Sequence, residues 1–268
     1  MSTFIEGGNV NANGIRQHYL RYGGKGQALI LVPGITSPAI TWGFVAERLG
    51  KYFDTYVLDV RGRGLSSSGP DLDYGTDTCA ADIPAFAEAL GLTSYHLVGH
   101  SMGARFAIRA AALGAPGLQR LVLVDPPVSG PGRREYPSKL PWYVDSIRQA
   151  TVGMNADDMR AYCPTWTSEQ LQLRAEWLHT CFEPAIVRAF EDFHQVDIHQ
   201  YLPSVTQPVL LMVAGRGGVI QPVDEAEIRE LKPGVQIARV ESAGHMIPWD
   251  DLEGFFAAFG DFLGQPIV

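Results

Sequence analysis

The chain has 268 residues, 46% of them hydrophobic, which suits one α/β domain carrying an insertion, or two small domains, with enough apolar material for a large core. A formal net charge of −8 argues against nucleic acid as a partner, and no apolar run reaches the length of a membrane span. Cys79, Cys163 and Cys181 fit neither a disulfide framework nor a zinc pattern and read as reduced thiols; the start lacks a basic segment followed by an apolar one, so a cytoplasmic protein is expected.

Phe4–Asn11 and Ile15–Tyr22 read as strands around the hairpin signal Asn13-Gly14. Ala28–Val32 is a continuous apolar run, as in a strand buried on both faces, and leads to Pro33-Gly34-Ile35-Thr36-Ser37-Pro38. Ala39–Leu49 reads as a helix and Thr55–Val60 as a buried strand, followed by Arg61-Gly62-Arg63-Gly64-Leu65-Ser66. Thr76–Leu90 is an amphipathic helix containing Pro84. Tyr95–Val98 is a strand, Arg105–Leu113 helical, and Leu121–Val124 a strand ending at Asp125-Pro126-Pro127. Residues 128–204 differ in texture, first rich in Pro, Gly and Arg, then helical and aromatic. Pro208–Gly215 and Val235–Val240 resume the strand pattern, with helices over Asp224–Leu231 and Asp251–Leu263. Alternating strands and helices imply right-handed crossovers and a mostly parallel twisted sheet with helices on both faces. Residues 1–127 and 205–268 then form the core, and 128–204 a helical cap over the carboxyl ends of the strands, where ligands bind in such sheets.

Between Tyr95–Val98 and the helix lies Gly99-His100-Ser101-Met102-Gly103. A Gly-x-Ser-x-Gly turn from strand to helix presents its serine hydroxyl outward, and the glycines let strand and helix approach closely. The Met102 amide, at the positive end of the helix, is free to donate to a developing oxyanion.

This turn, the Arg61-Gly62-Arg63-Gly64 loop after a strand, the late Gly244-His245 and the position of the insert resemble the α/β-hydrolase family over nearly the whole chain. The resemblance implies Ser101 as nucleophile and His245, straight after the last strand, as general base and acid. His100 competes only weakly, because its side chain points away from the nucleophile's side of the turn. The acid departs from the common pattern: where the family often has Gly-x-x-Asp the chain has Gly215-Arg216-Gly217-Gly218, with Gly218 at the acid position. Asp125 is the favoured substitute, one strand nearer the turn, and Asp224 the rival, with helix capping as its alternative role. The oxyanion hole would combine the backbone amides of Ile35 and Met102.

Within the family the chain is most similar to amide-hydrolysing, deformylase members, which implies a cofactor-free, metal-free reaction on a small anionic amide. Gly34, Ser37 and Thr36 lie where they could bind it, Trp142 and Trp249 could wall the pocket, and Arg133, Arg134, His194 or His199 could meet its negative charge. The same catalytic set could serve an esterase or a carbon–carbon bond hydrolase, and the fold also hosts ligand receptors and cofactor-independent oxygenases. Dehalogenases and epoxide hydrolases of this fold carry Asp at the nucleophile position, here Ser101. The Arg61–Gly64 loop lacks the Lys-Ser/Thr ending of a phosphate loop and reads as a structural turn. Oligomeric state is left open by the sequence.

Overall fold

Asn13 and Gly14 both take positive φ, 46° and 75°, the turn geometry whose twist matches paired strands. They join β1 (Phe4–Ala12) to β2 (Ile15–Tyr22) in a computed structural model that describes all 268 residues. The remaining strands are β3 (Ala28–Val32), β4 (Asp54–Leu58), β5 (Tyr95–His100), β6 (Leu118–Val124), β7 (Val209–Ala214) and β8 (Gln236–Val240). They form one eight-stranded sheet in the order β1-β2-β4-β3-β5-β6-β7-β8. The pairs β1–β2 and β2–β4 are antiparallel, and β3 to β8 run parallel. The apolar runs of β5 and β7 are buried along their whole length, because helices cover both faces of the sheet.

The crossovers are α1 (Gly43–Leu49), α2 (Thr76–Ala89) and α3 (Met102–Ala112). Between β6 and β7 the chain makes a helical insert of α4 (Leu140–Val152), α5 (Ala156–Met159), α6 (Ser168–Trp177) and α7 (Glu183–Gln195). α8 (Pro222–Leu231) precedes β8, and α9 (Ile247–Asp250) and α10 (Leu252–Ala257) follow it. Tyr143, Leu171 and Phe193 of the insert belong to the same contiguous cluster of 77 buried residues as the strands, so insert and sheet share one core.

Two helices differ from the sequence pattern. Ala39–Leu49 divides into a 3₁₀ turn, Ala39–Trp42, and α1. The Thr41 hydroxyl donates to the Pro38 carbonyl at 2.7 Å, and such local side-chain bonding competes with a regular helix start. The closing helix stops at Ala257 rather than Leu263; beyond it Gly260 takes φ 48°, and the turns it allows still bury Phe259 and Phe262.

Candidate active site

Ser101 sits between β5 and α3 with φ 52° and ψ −119°, a conformation that a residue with a side chain adopts only under constraint. The constraint is visible. The Ser101 amide donates to Val124 O at 2.9 Å, and the Ser101 carbonyl accepts from the amides of Ala104 and Arg105. The flanking glycines are required by contact: a Cβ on Gly99 would stand 2.5 Å from Gly103 O, and one on Gly103 would stand 2.1 Å from Val32 O. The sequence spacing therefore reflects three backbones meeting where any Cβ would collide.

Asp125 follows β6 directly, is fully buried and takes φ 45°. Its Oδ1 accepts from the Ala214 amide at 3.2 Å, and its Oδ2 lies 2.6 Å from His245 Nδ1. His245 Nε2 lies 2.9 Å from Ser101 Oγ. With Asp125 accepting at Nδ1, that nitrogen carries the proton, and Nε2 presents a lone pair to the serine hydroxyl. Asp224, the rival acid, is elsewhere: it caps α8 through the Gln221 amide at 2.8 Å and pairs with Arg134 at 2.8 Å. His100 donates from Nε2 to the carbonyl of His245 at 3.1 Å, and complete burial lowers its pKa to about 3, so it remains a neutral prop behind the base.

The amides of Ile35 and Met102 take no part in the turn and cap hydrogen bonds of the chain. Gly34 brings the first of them close, since a Cβ there would stand 3.5 Å from Ser101 Cβ. Arg63, fully buried, fixes the surroundings of both. It donates to Ile35 O at 3.1 Å, Arg61 O at 2.8 Å and Ala185 O at 3.2 Å, and reaches Met102 Sδ at 3.3 Å. Its neighbour Arg61 makes a two-pronged pair with Asp82, at 2.5 and 2.6 Å, so the Gly-rich loop is a structural turn.

A cavity of about 400 Å³ opens over Ser101 and His245. Gly34, Ile35, Thr36, Ser37 and Trp142 line it, in the places the sequence suggested. Trp249 does not. It stacks on Trp166, centroids 5.0 Å apart, and Trp166 forms the wall in front of it. Arg133 and His194 are also absent from the wall. Arg133 is consumed by Asp197, at 3.0 Å, and by Glu227, acids far along the chain that the local sequence does not reveal. His194 donates to the Phe190 carbonyl at 3.1 Å, and His199 lies 3.0 Å from Glu227.

Several lining residues went unnoticed in the sequence, Tyr136 and Arg174 among them. Tyr136, from the Pro- and Gly-rich start of the insert, places its hydroxyl 3.2 Å from His245 Nε2; burial raises its pKa well above that of a free phenol, so it stays protonated. Arg174 is 3% exposed and lines the cavity from α6. A signal for it existed: Leu171, Arg174, Ala175 and Leu178 share one helical face, so an arginine interrupts an apolar stripe. No group of three or more His, Cys, Asp and Glu side chains is placed to hold a metal ion.

Residues 27–252 match the alpha/beta hydrolase fold family. The chain belongs to the α/β-hydrolase family. It is 86% identical to the N-formylmaleamate deformylase of Pseudomonas putida KT2440 over all of both chains. It is 26% identical to 2-(acetamidomethylene)succinate hydrolase of Mesorhizobium japonicum, covering 85% of this chain and 84% of that one. The crystal structure of the N-formylmaleamic acid deformylase of Pseudomonas putida S16 superposes with a TM-score of 0.92 at 58% identity, covering 95% of this chain and 100% of that one. The fold is thus that of the α/β hydrolases, as the arrangement of the Ser101 turn had implied.

Proposed function

We propose that this α/β hydrolase is an N-formylmaleamate deformylase, releasing formate and maleamate in the aerobic breakdown of nicotinate. The observation that carries the reading is the 86% identity, without truncation of either chain, to a protein of that name. The distances around Ser101 supply a mechanism for it.

Ser101 Oγ attacks the formyl carbon as His245 Nε2, 2.9 Å away, takes its proton. Asp125 holds the imidazole in the required tautomer and stabilises the imidazolium that forms. The amides of Ile35 and Met102 receive the developing oxyanion; one such donor is typically worth about 3 kcal/mol in the transition state. The Tyr136 oxygen can accept from the protonated Nε2 until the departing nitrogen collects that proton. This nitrogen is acylated on its other side and leaves more readily than a simple amine. Collapse breaks the C–N bond, frees maleamate and leaves formyl-Ser101. Water, deprotonated by His245, then attacks the ester; formate departs and Ser101 regains its proton. No step calls for a cofactor. The insert over the site acts as a cap, and the cytoplasm is the compartment where such a catabolic step would run; no helix is long and apolar enough to cross a membrane.

The test is formate release from N-formylmaleamate by the purified protein beside Ser101→Ala. The expected result is rapid release that falls by about 10⁴-fold or more in the variant. Absence of release from both proteins would sink the reading and direct attention to esters and diketones.

A further inference from the structure

Four arginines are almost completely buried: Arg61, Arg63, Arg105 and Arg174. Three have their donors well used. Arg61 is paired with Asp82, Arg63 reaches three carbonyls and a sulfur, and Arg105 reaches the carbonyls of Pro127, Ser129, Asp192 and Val196. Arg174 is different. Of the five N–H groups of a guanidinium it uses two, on Thr36 O at 3.0 Å and Thr36 Oγ1 at 2.9 Å. Its Nε has no partner, and no carboxylate oxygen lies within 4.0 Å of it. The guanidinium carbon lies 5.7 Å from the ring centroids of both Trp142 and Trp166, which attract the cation without neutralising it. Burying a cation so incompletely matched is costly unless an anion completes it.

Arg174 is the sole permanent cation in the wall of the cavity that holds Ser101 and His245. The cavity's one carboxylate, Asp250, accepts from the Gly244 amide at 2.7 Å and so braces the loop of the base. An elongated substrate with a carboxylate at one end is therefore drawn to Arg174 and repelled at Asp250. Arg174 grips Thr36, whose neighbour Ile35 offers the oxyanion amide, so one short loop connects the anion site to the reacting centre.

We propose that Arg174, with Thr36 and the two tryptophans, is the subsite that binds the carboxylate of the substrate and selects carboxylated over neutral formyl amides. The proposal rests on the deformylase reading for the identity of the substrate, and on the unmatched guanidinium for the anion.

The test compares kcat/KM for N-formylmaleamate with that for its carboxamide analogue, in which CONH₂ replaces COO⁻, in the wild type, Arg174→Gln and Arg174→Lys. The wild type should favour the acid, and the ratio of acid to carboxamide should fall by at least about 30-fold in R174Q, chiefly through KM, with partial recovery in R174K. An unchanged ratio in R174Q, even with both rates lowered, overturns the proposal and leaves Arg174 as a brace for Thr36. A wild type that does not discriminate overturns it without reference to any variant. Should the wild type release no formate from either compound, the deformylase reading fails by itself. Maleamate binding, read by quenching of tryptophan fluorescence, then decides on the subsite. Binding that R174Q loses supports it, whereas absent or equal binding overturns it.

Discussion

The Nε–H of Arg63 donates to the carbonyl oxygen of Ile35 at 3.1 Å. The same guanidinium touches Met102 Sδ and the Ala185 carbonyl, so one buried cation ties both proposed oxyanion donors to α7 of the insert. Burial holds its pKa below the usual arginine value, which means that the cation is carried at a cost and retained by its carbonyl partners.

Arg63→Met should therefore act on two levels. Three buried carbonyls lose a donor, at about 1–3 kcal/mol each, while removal of the desolvated charge offsets part of that. We expect a net destabilisation of about 2 kcal/mol in urea unfolding. We also expect kcat to fall by about 10-fold with KM little changed, since the Ile35 loop matters most in the transition state. A variant that keeps the wild-type kcat would show that the loop holds its shape without Arg63.

The two candidate acids make a clean pair for substitution. Asp125→Asn keeps the size of the side chain but removes the charge and offers His245 Nδ1 either an amide oxygen or an amide nitrogen. By the precedent of serine-protease triads, kcat should drop by about 10⁴-fold. Asp224→Asn touches only the cap of α8 and a partly exposed pair with Arg134, so activity should stay within about twofold while stability falls by about 1 kcal/mol or less. Steady-state kinetics on both variants decides, and the reverse pattern would move the acid to Asp224.

The parts of the site that the sequence disclosed are those governed by local sterics. Gly99 and Gly103 were legible because their contacts tolerate no Cβ, and Asp125 was legible as the residue that closes an apolar strand before two prolines. The replaced acid position has a backbone side as well: Gly218 has open space where a Cβ would stand but takes φ 66°, a conformation that favours glycine over a residue with a side chain. What stayed hidden depends on partners distant in sequence. Arg133 and Arg174 look alike as single letters; only the fold brings Asp197 and Glu227 to the first and leaves the second with Thr36 alone. Tyr136 lies in a stretch with no periodicity, and its hydroxyl meets a histidine 109 positions later.

Buried histidines set the response to acid. Desolvation lowers His96 to about 4 and His100 to about 3, whereas in the unfolded chain both titrate near 6.5. Below pH 6.5 the unfolded state takes up protons that the folded state refuses. The stability is therefore full above 6.5 and is lost as pH falls towards 4 and 3, at up to about 1.4 kcal/mol per pH unit for each histidine. Glu227, held at about 2 by its bond to Arg133, adds a loss in the same direction at lower pH, from the ordinary glutamate range downwards, weakened by its exposure. Urea unfolding at pH 8, 6 and 5 should show a progressive fall in stability. His96→Gln is the informative variant, because His96 lies on β5 beneath the site, with its Nδ1 unpartnered, and does not touch Ser101 or His245. The slope between pH 6.5 and 4.5 should flatten by up to one proton in H96Q, with no change in the slope above pH 7. A slope identical to that of the wild type would assign the acid sensitivity to other groups and remove His96 from the account.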